Sequence, residues 1–450
     1  MSSFNVGDLR LDRRGQVLFD QIVETGSLVL HRIGGDRGGE VAAGRFFGSA
    51  KVTPQSILAP SVARTAAAAA GRRVLAIEDT TEINFSGRDR RRSGLGPAAD
   101  GKSLGFFIHA LIAVDAVEEA LLGVVDAKIW SRTEPPKRRQ TTPVEEKESM
   151  RWIDGMTAAA GRLSGAASII VVADRESDHY PMLARVPEGV DLLIRCRHDR
   201  KLGDGGTLSE ASAAFDILAT TTLDVPSRGP GDKGRVANVT LKAGRVTIPK
   251  PVGKVTTADP AELTIGLVVV EEIAPPPGVK PVVWRLYTTL PVGTREEAGE
   301  AVRLYRLRWR IEQVFRSLKS DGLALEETQV QSAGRLFKLA AMGLAAAARI
   351  IQLVDARDGS NRPATDVIDA ALIAPAAEIG ARLEGRTERQ KNHFPQGSLA
   401  WLAWIVARLG GWNCYYKPPG PKTMAIGWRQ LAAMFAGYVI ADATGEAGLM

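Results

Sequence analysis

Two uninterrupted apolar runs, each ending on an acidic side chain, limit what this chain can fold into more than any other feature. Val74 to Ile77 stops at Glu78 and Asp79, and Ser168 to Ala173 stops at Asp174. Apolar runs this short, without polar alternation, read as strands buried on both faces, as in a parallel sheet covered by helices. Two more strand-like runs lie between them, FFIHALIAV and ALLGVVDAKIW, and a helical pattern from about Pro143 to Leu163 leads into the second aspartate strand. The strand VDLLIRCR follows. From about Asp199 to Pro281 Gly, Pro and Thr dominate, and alternating runs such as RVANVTLKAGRVTI predict hairpins in a small inserted β domain. The strand VVWRLYTTL then returns to the core. The expected class is therefore α/β.

The flanks read differently. Through residue 70 the pattern is helical, with apolar residues at Val17, Leu18, Ile22 and Val23 and again around Phe46 and Phe47. From about Gln331 the chain is alanine-rich and helical, broken by KPPGPK at Lys417 to Lys422. A length of 450 residues favours two to four domains. The longest apolar stretch, Leu339 to Ala348, lies between Lys338 and Arg349 and is too short for a bilayer, and the N-terminus lacks the apolar core of a signal peptide. Cys196 and Cys414 stand far apart without metal-ligand spacing, so reduced thiols in a cytoplasmic, membrane-free protein are expected. A formal net charge of +7, with arginines clustered at Arg88, Arg90, Arg91 and Arg92, favours an anionic partner such as nucleic acid.

If the two aspartate-ending strands pair in one sheet, Asp79 and Asp174 meet at its carboxyl edge, where open α/β sheets place their ligands. A long helix is predicted from about Arg295 to Ser320. Along it Tyr305, Arg308, Glu312 and Lys319 fall within roughly a 60° stripe at about 100° per residue. Three carboxylates, Asp79, Asp174 and Glu312, can hold two hard divalent cations, which stabilise the attacking and leaving oxygens of an in-line phosphodiester displacement. Arg308 and Lys319 would grip the phosphates beside them. The bland alternative for the helix is an ordinary surface pair of Arg308 with Glu312, four residues apart.

Two nucleotide-binding patterns also occur. GPAADGKS, Gly96 to Ser103, satisfies the P-loop expression, but it lacks a strand immediately before it and a helix after. It reads better as a basic loop that could touch DNA through Lys102. GPGDKG, Gly229 to Gly234, sits between β runs and carries a proline, so a hairpin loop is expected there. The five histidines are scattered, and no pair has zinc spacing.

The helix spacing, with IEDTT around Asp79, ADRESD around Asp174 and YRLRWRIEQVFRSLK around Glu312, resembles the insertion-sequence-four family of bacterial DDE transposases. EKES (Glu146 to Ser149), EEIAPPP (Glu271 to Pro277), GSLAW and ARLGGW resemble further stretches of that family. The resemblance implies a ribonuclease-H-like mixed-sheet catalytic core at 71–198 and 282–330, with the inserted β domain at 199–281. It further implies a helical DNA-binding domain at 1–70 and a helical dimerisation domain at 331–450. Asp79 would bridge two Mg²⁺ (or Mn²⁺) ions, with Asp174 and Glu312 completing one site each.

The implied activity is cut-and-paste transposition by a homodimer on paired transposon ends: nicking, a hairpin on the transposon end, and strand transfer into target DNA. Trp284 matches a tryptophan that stacks on a flipped base, and Arg195 a basic residue near the active site; core packing and a solvated charge are the plain alternatives. Tyr305, Arg308 and Lys319 match phosphate-holding residues, and Arg45 a DNA-contacting arginine. Where the family has a second arginine three residues on, this chain has Gly48, which points to a different cognate end. The competing class is a catalytically silent DNA-binding protein descended from such an enzyme.

Overall fold

In the computed structural model, which describes residues 4–85, 92–134, 144–225, 234–252, 258–319 and 322–447, local capping decides where the first helices begin. Asp8 accepts from the N–H groups of Arg10 and Leu11 at the start of α1 (Leu9–Thr25), and Gly26, at φ 57°, ends it. After α2 (Leu30–Gly34), Asp36 caps α3 (Arg37–Gly48), and a reciprocal Thr53–Ser56 capping box starts α4 (Pro54–Ala69). Then come β1 (Arg73–Asn84), β2 (Gly96–Pro97), β3 (Leu104–Asp115), β4 (Leu121–Trp130), α5 (Met150–Arg162) and β5 (Ser168–Ala173). They are followed by α6 (Tyr180–Ala184), β6 (Val190–Arg195), α7 (Leu208–Ala214), β7 (Ile217–Val225), β8 (Arg235–Pro249), β9 (Glu262–Glu272) and β10 (Val283–Thr288). Six helices complete the chain: α8 (Arg295–Arg306), α9 (Trp309–Lys319), α10 (Ala333–Ala356), α11 (Ile373–Leu383), α12 (Leu399–Leu409) and α13 (Pro421–Ala447).

The chain forms two compact units, residues 1–70, 80–137 and 310–450 in the first and residues 71–79 and 138–309 in the second. The second is built on a mixed sheet. The start of β1 pairs in parallel with β5, and β5 in parallel with β6. From there the pairing is antiparallel through β10, β9, β8 and β7. The 199–281 segment thus supplies α7 and the strands β7, β8 and β9, which extend the sheet outward from β10. Helix α8 packs on β6, β8 and β9, and α5 on β5.

In the first unit, β3 pairs antiparallel with β4, and the short β2 with the start of β3. The P-loop-like stretch is therefore the turn of a hairpin. Asp100 accepts from the Lys102 and Ser103 N–H groups and from the Ser103 hydroxyl, and a strand follows where a P-loop requires a helix. Arg92 is a staple: its guanidinium donates to the carbonyls of Val330 and Thr328 and lies 3.7 Å from the Phe85 ring centroid. Arg88, Arg90 and Arg91 fall outside the described residues.

Helix α10 is the axis of this unit. It is long and apolar enough to cross a membrane, but 83% of its apolar window is buried against neighbours that include α1, α3, α4, α12, α13 and β4. A buried helix that is apolar all round is what the core of a large unit requires. The Gln352 amide donates to the Leu122 carbonyl, and Asp355 accepts from the Leu121 N–H at 2.9 Å. Arg362, fully buried, reaches the Leu121 carbonyl and Asp366.

Helix α4 crosses β4 so closely that a Cβ on Gly123 would lie 2.2 Å from the Thr65 hydroxyl oxygen, and Gly123 itself sits at φ 144°. Gly123→Ala is expected to destabilise the protein by about 2–4 kcal/mol, through overpacking and strain together. Denaturant melts of Gly123→Ala with and without Thr65→Ala check this: the second change should recover the steric part only, and an unshifted midpoint in Gly123→Ala would refute the close crossing.

Candidate active site

The two aspartates owe their placement to strand register. The parallel pairing sets Arg73 against Ser168 and Ile77 against Val172. The same register carried two residues further puts Asp79 level with Asp174, just past the end of β5. Strand β1 does not stop at Asp79, as its apolar run suggested, but continues to Asn84. Neighbouring strands lie roughly 4.7–4.9 Å apart, so the two carboxylates start from adjacent positions on one edge of the sheet. Glu78, one residue earlier, is fully buried, and burial pushes its carboxyl well above the usual range. Asp174 begins a short 3₁₀ turn, accepting from the Glu176 N–H at 2.7 Å.

Cationic and aromatic groups of the same unit surround this edge. Arg308 donates through Nη1 to Asp79 Oδ2 at 2.8 Å, with both side chains mostly buried. Tyr305 is buried, and burial pushes its phenol up to about 12; Arg308 and Arg195 pull the other way, and Asp174 adds to the rise. Trp284, half-buried on β10, meets Tyr305 edge to face with ring centroids 5.6 Å apart. The Arg195 guanidinium lies 5.9 Å from the Trp284 ring centroid and donates to the Val283 carbonyl. Asp79, Asp174, Arg195, Trp284, Tyr305 and Arg308 thus share one neighbourhood.

The helix expected to carry Tyr305, Arg308, Glu312 and Lys319 on one stripe is two helices. Helix α8 ends at Arg306 and α9 begins at Trp309. The N–H groups of Leu307 and Arg308 bond to carbonyls two or three residues back, so the helix tightens and stops without any proline or glycine. Side-chain partners account for the break: Arg308 turns to Asp79, and Arg310, in the first turn of α9, donates to Asp355 at 2.7 Å.

Glu312 and Lys319 belong to the first unit. Glu312 is half-buried on α9, above an apolar face of Ile311, Val314, Phe315 and Leu318. Burial lowers Lys319, while Glu326, Glu82 and Glu312 oppose the shift. Arg45, exposed on α3, and Lys102, exposed in the β2–β3 turn, are also in the first unit.

Sequence reasoning missed the residues that hold the site's loops. Asp178, its side chain fully buried, accepts from the N–H groups of Arg197 and His198 and from the Arg200 guanidinium at 2.6 Å. It ties the turn after Asp174 to the chain leaving Arg195. The second aspartate of ADRESD was the one available signal, and spacing alone does not reveal a partner about twenty residues away. Cys196 and Cys414 are free thiols, and burial pushes Cys196 well up.

Two adjacent carboxylates are hard oxygen donors, the set a divalent cation such as Mg²⁺ takes. Among the described residues no group of three or more His, Cys, Asp or Glu side chains is assembled for a metal.

A mixed α/β sheet with carboxylates on adjacent parallel strands, one within β1 and one just past the end of β5, beside guanidinium groups, fits the class of enzymes that act on phosphodiesters with metal ions. Residues 106–348, just over half of the chain, match the family model of the transposase DDE domain, and the chain belongs to that family. Membership supports a transposase function with DNA as substrate, and the mixed sheet is compatible with a ribonuclease-H-like core. DDE domains generally use divalent metal ions. The match covers Asp174, Arg195, Trp284, Tyr305, Arg308, Glu312 and Lys319 and begins after Arg45, Asp79 and Lys102.

His179, five residues after Asp174, has its ring lowered to about 4 by burial and accepts from the Met182 N–H as the cap of α6. The unfolded chain therefore binds a proton here between pH 6.5 and about 4 that the folded chain refuses. The stability this histidine contributes is complete above pH 6.5 and drains away as pH falls toward 4, by on the order of 3 kcal/mol. His179→Asn keeps a capping oxygen without the titration, so its urea midpoint should hold up better than wild type between pH 6.5 and 4.5. Parallel pH curves would refute the assignment.

Proposed function

We propose that the chain is a cut-and-paste transposase of the insertion-sequence-four branch, with Asp79, Asp174 and Glu312 as its catalytic carboxylates. The observation that carries this reading is the parallel register of β1 and β5, which, carried two residues past Ile77 and Val172, sets Asp79 level with Asp174, with Arg308 paired to the first. The three carboxylates would hold two Mg²⁺ ions, with Mn²⁺ as substitute, and the metal supplies charge neutralisation at the scissile phosphate and a more acidic attacking water.

The protein's own groups do the rest. Arg308 neutralises Asp79 while no cation is bound, and it is placed to take a phosphate oxygen bidentately once that carboxylate has another partner. The buried Tyr305 phenol stays protonated and can donate to phosphate. Trp284 offers a half-buried aromatic face for an extruded base in a hairpin on the transposon end, with Arg195 beside it. On this reading residues 71–198 and 282–330 form the ribonuclease-H-like core and 199–281 its β insertion. Residues 1–70 bind the end repeats and 331–450 mediate the homodimer, in the cytoplasm of a bacterium.

A supercoiled plasmid carrying the gene with its native flanking DNA, incubated with protein and Mg²⁺, tests this directly. Wild type should release a linear fragment. Asp79→Ala and Glu312→Gln should lose about a thousandfold or more in cleavage rate while shifting end DNA in gels almost as well as wild type. Retained cleavage in Glu312→Gln removes that residue from the mechanism. A gel shift without release by wild type assigns the chain to the catalytically silent, DNA-binding descendants.

The N-terminal contact has its own test. At Gly48, where the resemblance calls for an arginine, a Cβ would lie 3.1 Å from Nη2 and 3.3 Å from Nε of Arg335. Arg335, exposed at the start of α10, thus brings a guanidinium to the end of the helix that carries Arg45. Arg45→Ala and Arg335→Ala should each weaken end binding about tenfold and flatten the logarithmic salt dependence by about one unit. Unchanged salt slopes in both variants would take this face away from the DNA.

A further inference from the structure

Within the first unit, helices α1, α4, α10 and α13 surround a cavity of about 660 Å³. Phe19, Ile57, Trp428 and Phe435 give it apolar walls. That volume is of the size that takes a small organic ligand. Its polar groups are few and unbalanced. Arg349, from the middle of α10, is 7% exposed; its Nη1 donates to the Val367 carbonyl, and its guanidinium lies 5.3 Å from the Trp428 ring centroid and 5.9 Å from that of Phe19. Among the described residues Nε and Nη2 of Arg349 find no acceptor, and neither does any donor of Arg64.

One carboxylate faces these two cations. Asp20 accepts from the Gln16 amide and forms no ion pair with either arginine. The charges acting on Arg349 are those of Arg64 and Asp20. Burial lowers Arg349 to about 9 and lowers Arg64, and it raises Asp20, so all three are poorly solvated. Glu24 is engaged with Arg429 at 3.5 Å, and Asp369, half-exposed in the lining, accepts from the Ala371 N–H. A buried guanidinium with vacant donors is costly unless an anion meets it.

We propose that this cavity is a binding site for a small amphiphilic anion, its carboxylate or phosphate head between Arg349 and Arg64 and its apolar body against Trp428, Phe19 and Phe435. The site is separate from the carboxylate cluster of the second unit and stands whether or not the chain cuts DNA. The two guanidinium groups supply charge-assisted donors, and the aromatic walls supply the apolar contact.

Calorimetric titration of the full chain with decanoate, decyl phosphate, decanol and inorganic phosphate tests the proposal. Decanoate or decyl phosphate should bind once per chain, at least about tenfold tighter than decanol or phosphate alone. Whichever of the two binds tighter identifies the head group. Arg349→Met should erase the preference for the anion. Arg64→Gln, on a more accessible side chain, should weaken anion binding several-fold and keeps the test open if Arg349→Met fails to fold. Equal binding of decanol and decanoate, no binding of either anion, or unchanged affinity in Arg64→Gln would overturn the proposal.

Discussion

The in-register parallel pairing of β1 with β5 is the constraint on which the site depends. Both strands are buried along nearly their whole paired length, so neither has a polar face by which to choose a register. A slip of one residue would reverse every side chain of β1. It would bring Glu78 to the face now held by Asp79, beside Arg308, and turn Asp79 into the fully buried position of Glu78. The structure accepts one buried acid, Glu78, whose carboxyl burial drives well up, and keeps the next residue at the edge beside Asp174. Two acids in succession within β1 thus meet different surroundings, Glu78 buried in the core and Asp79 paired with Arg308, because pleat alternation sends them to opposite faces.

The second constraint is the break between α8 and α9. Helical periodicity places Tyr305, Arg308, Glu312 and Lys319 on one stripe, and that inference holds only if the helix runs on. It stops at Arg306 and restarts at Trp309, with Arg308 in the gap. No residue there is a helix breaker, so the cause is tertiary: two arginines two positions apart answer to different carboxylates, Arg308 to Asp79 and Arg310 to Asp355. Ion pairs of low exposure can hold a local geometry that propensity would not choose, because leaving either partner unpaired costs more than a tightened turn.

What the sequence disclosed and what it hid follow from the same distinction. Burial patterns are local, so the apolar strand running up to Asp174, the start of β1 and the hairpin character of β8 could be read directly, whereas the continuation of β1 past Asp79 to Asn84 could not. The P-loop pattern could be discounted by its neighbours, and the β2–β3 turn bears that out. Partnerships are not local. Nothing near Asp178 announces that it will hold Arg200 and the N–H groups of Arg197 and His198. Nothing near Arg92 announces that it will staple two carbonyls more than two hundred residues away. The arginine cluster at 88–92 read as a nucleic-acid signal, and its one described member is a packing device.

Arginine is where this limit bites hardest, because one side chain serves three ends in this protein. Arg92 and Arg362 are met by carbonyls or a carboxylate of their own chain, although Nη2 of Arg362 is buried with no hydrogen-bond partner among the described residues. Arg308 is paired with a carboxylate that other chemistry would claim, which makes its pairing exchangeable. Arg349 and Arg64 line a cavity in which Asp20 makes no ion pair with either. The charge is the same in every case, and the local sequence does not tell them apart. What separates a structural arginine from one that lines a ligand-sized cavity is what the fold places around it, which no local sequence pattern encodes.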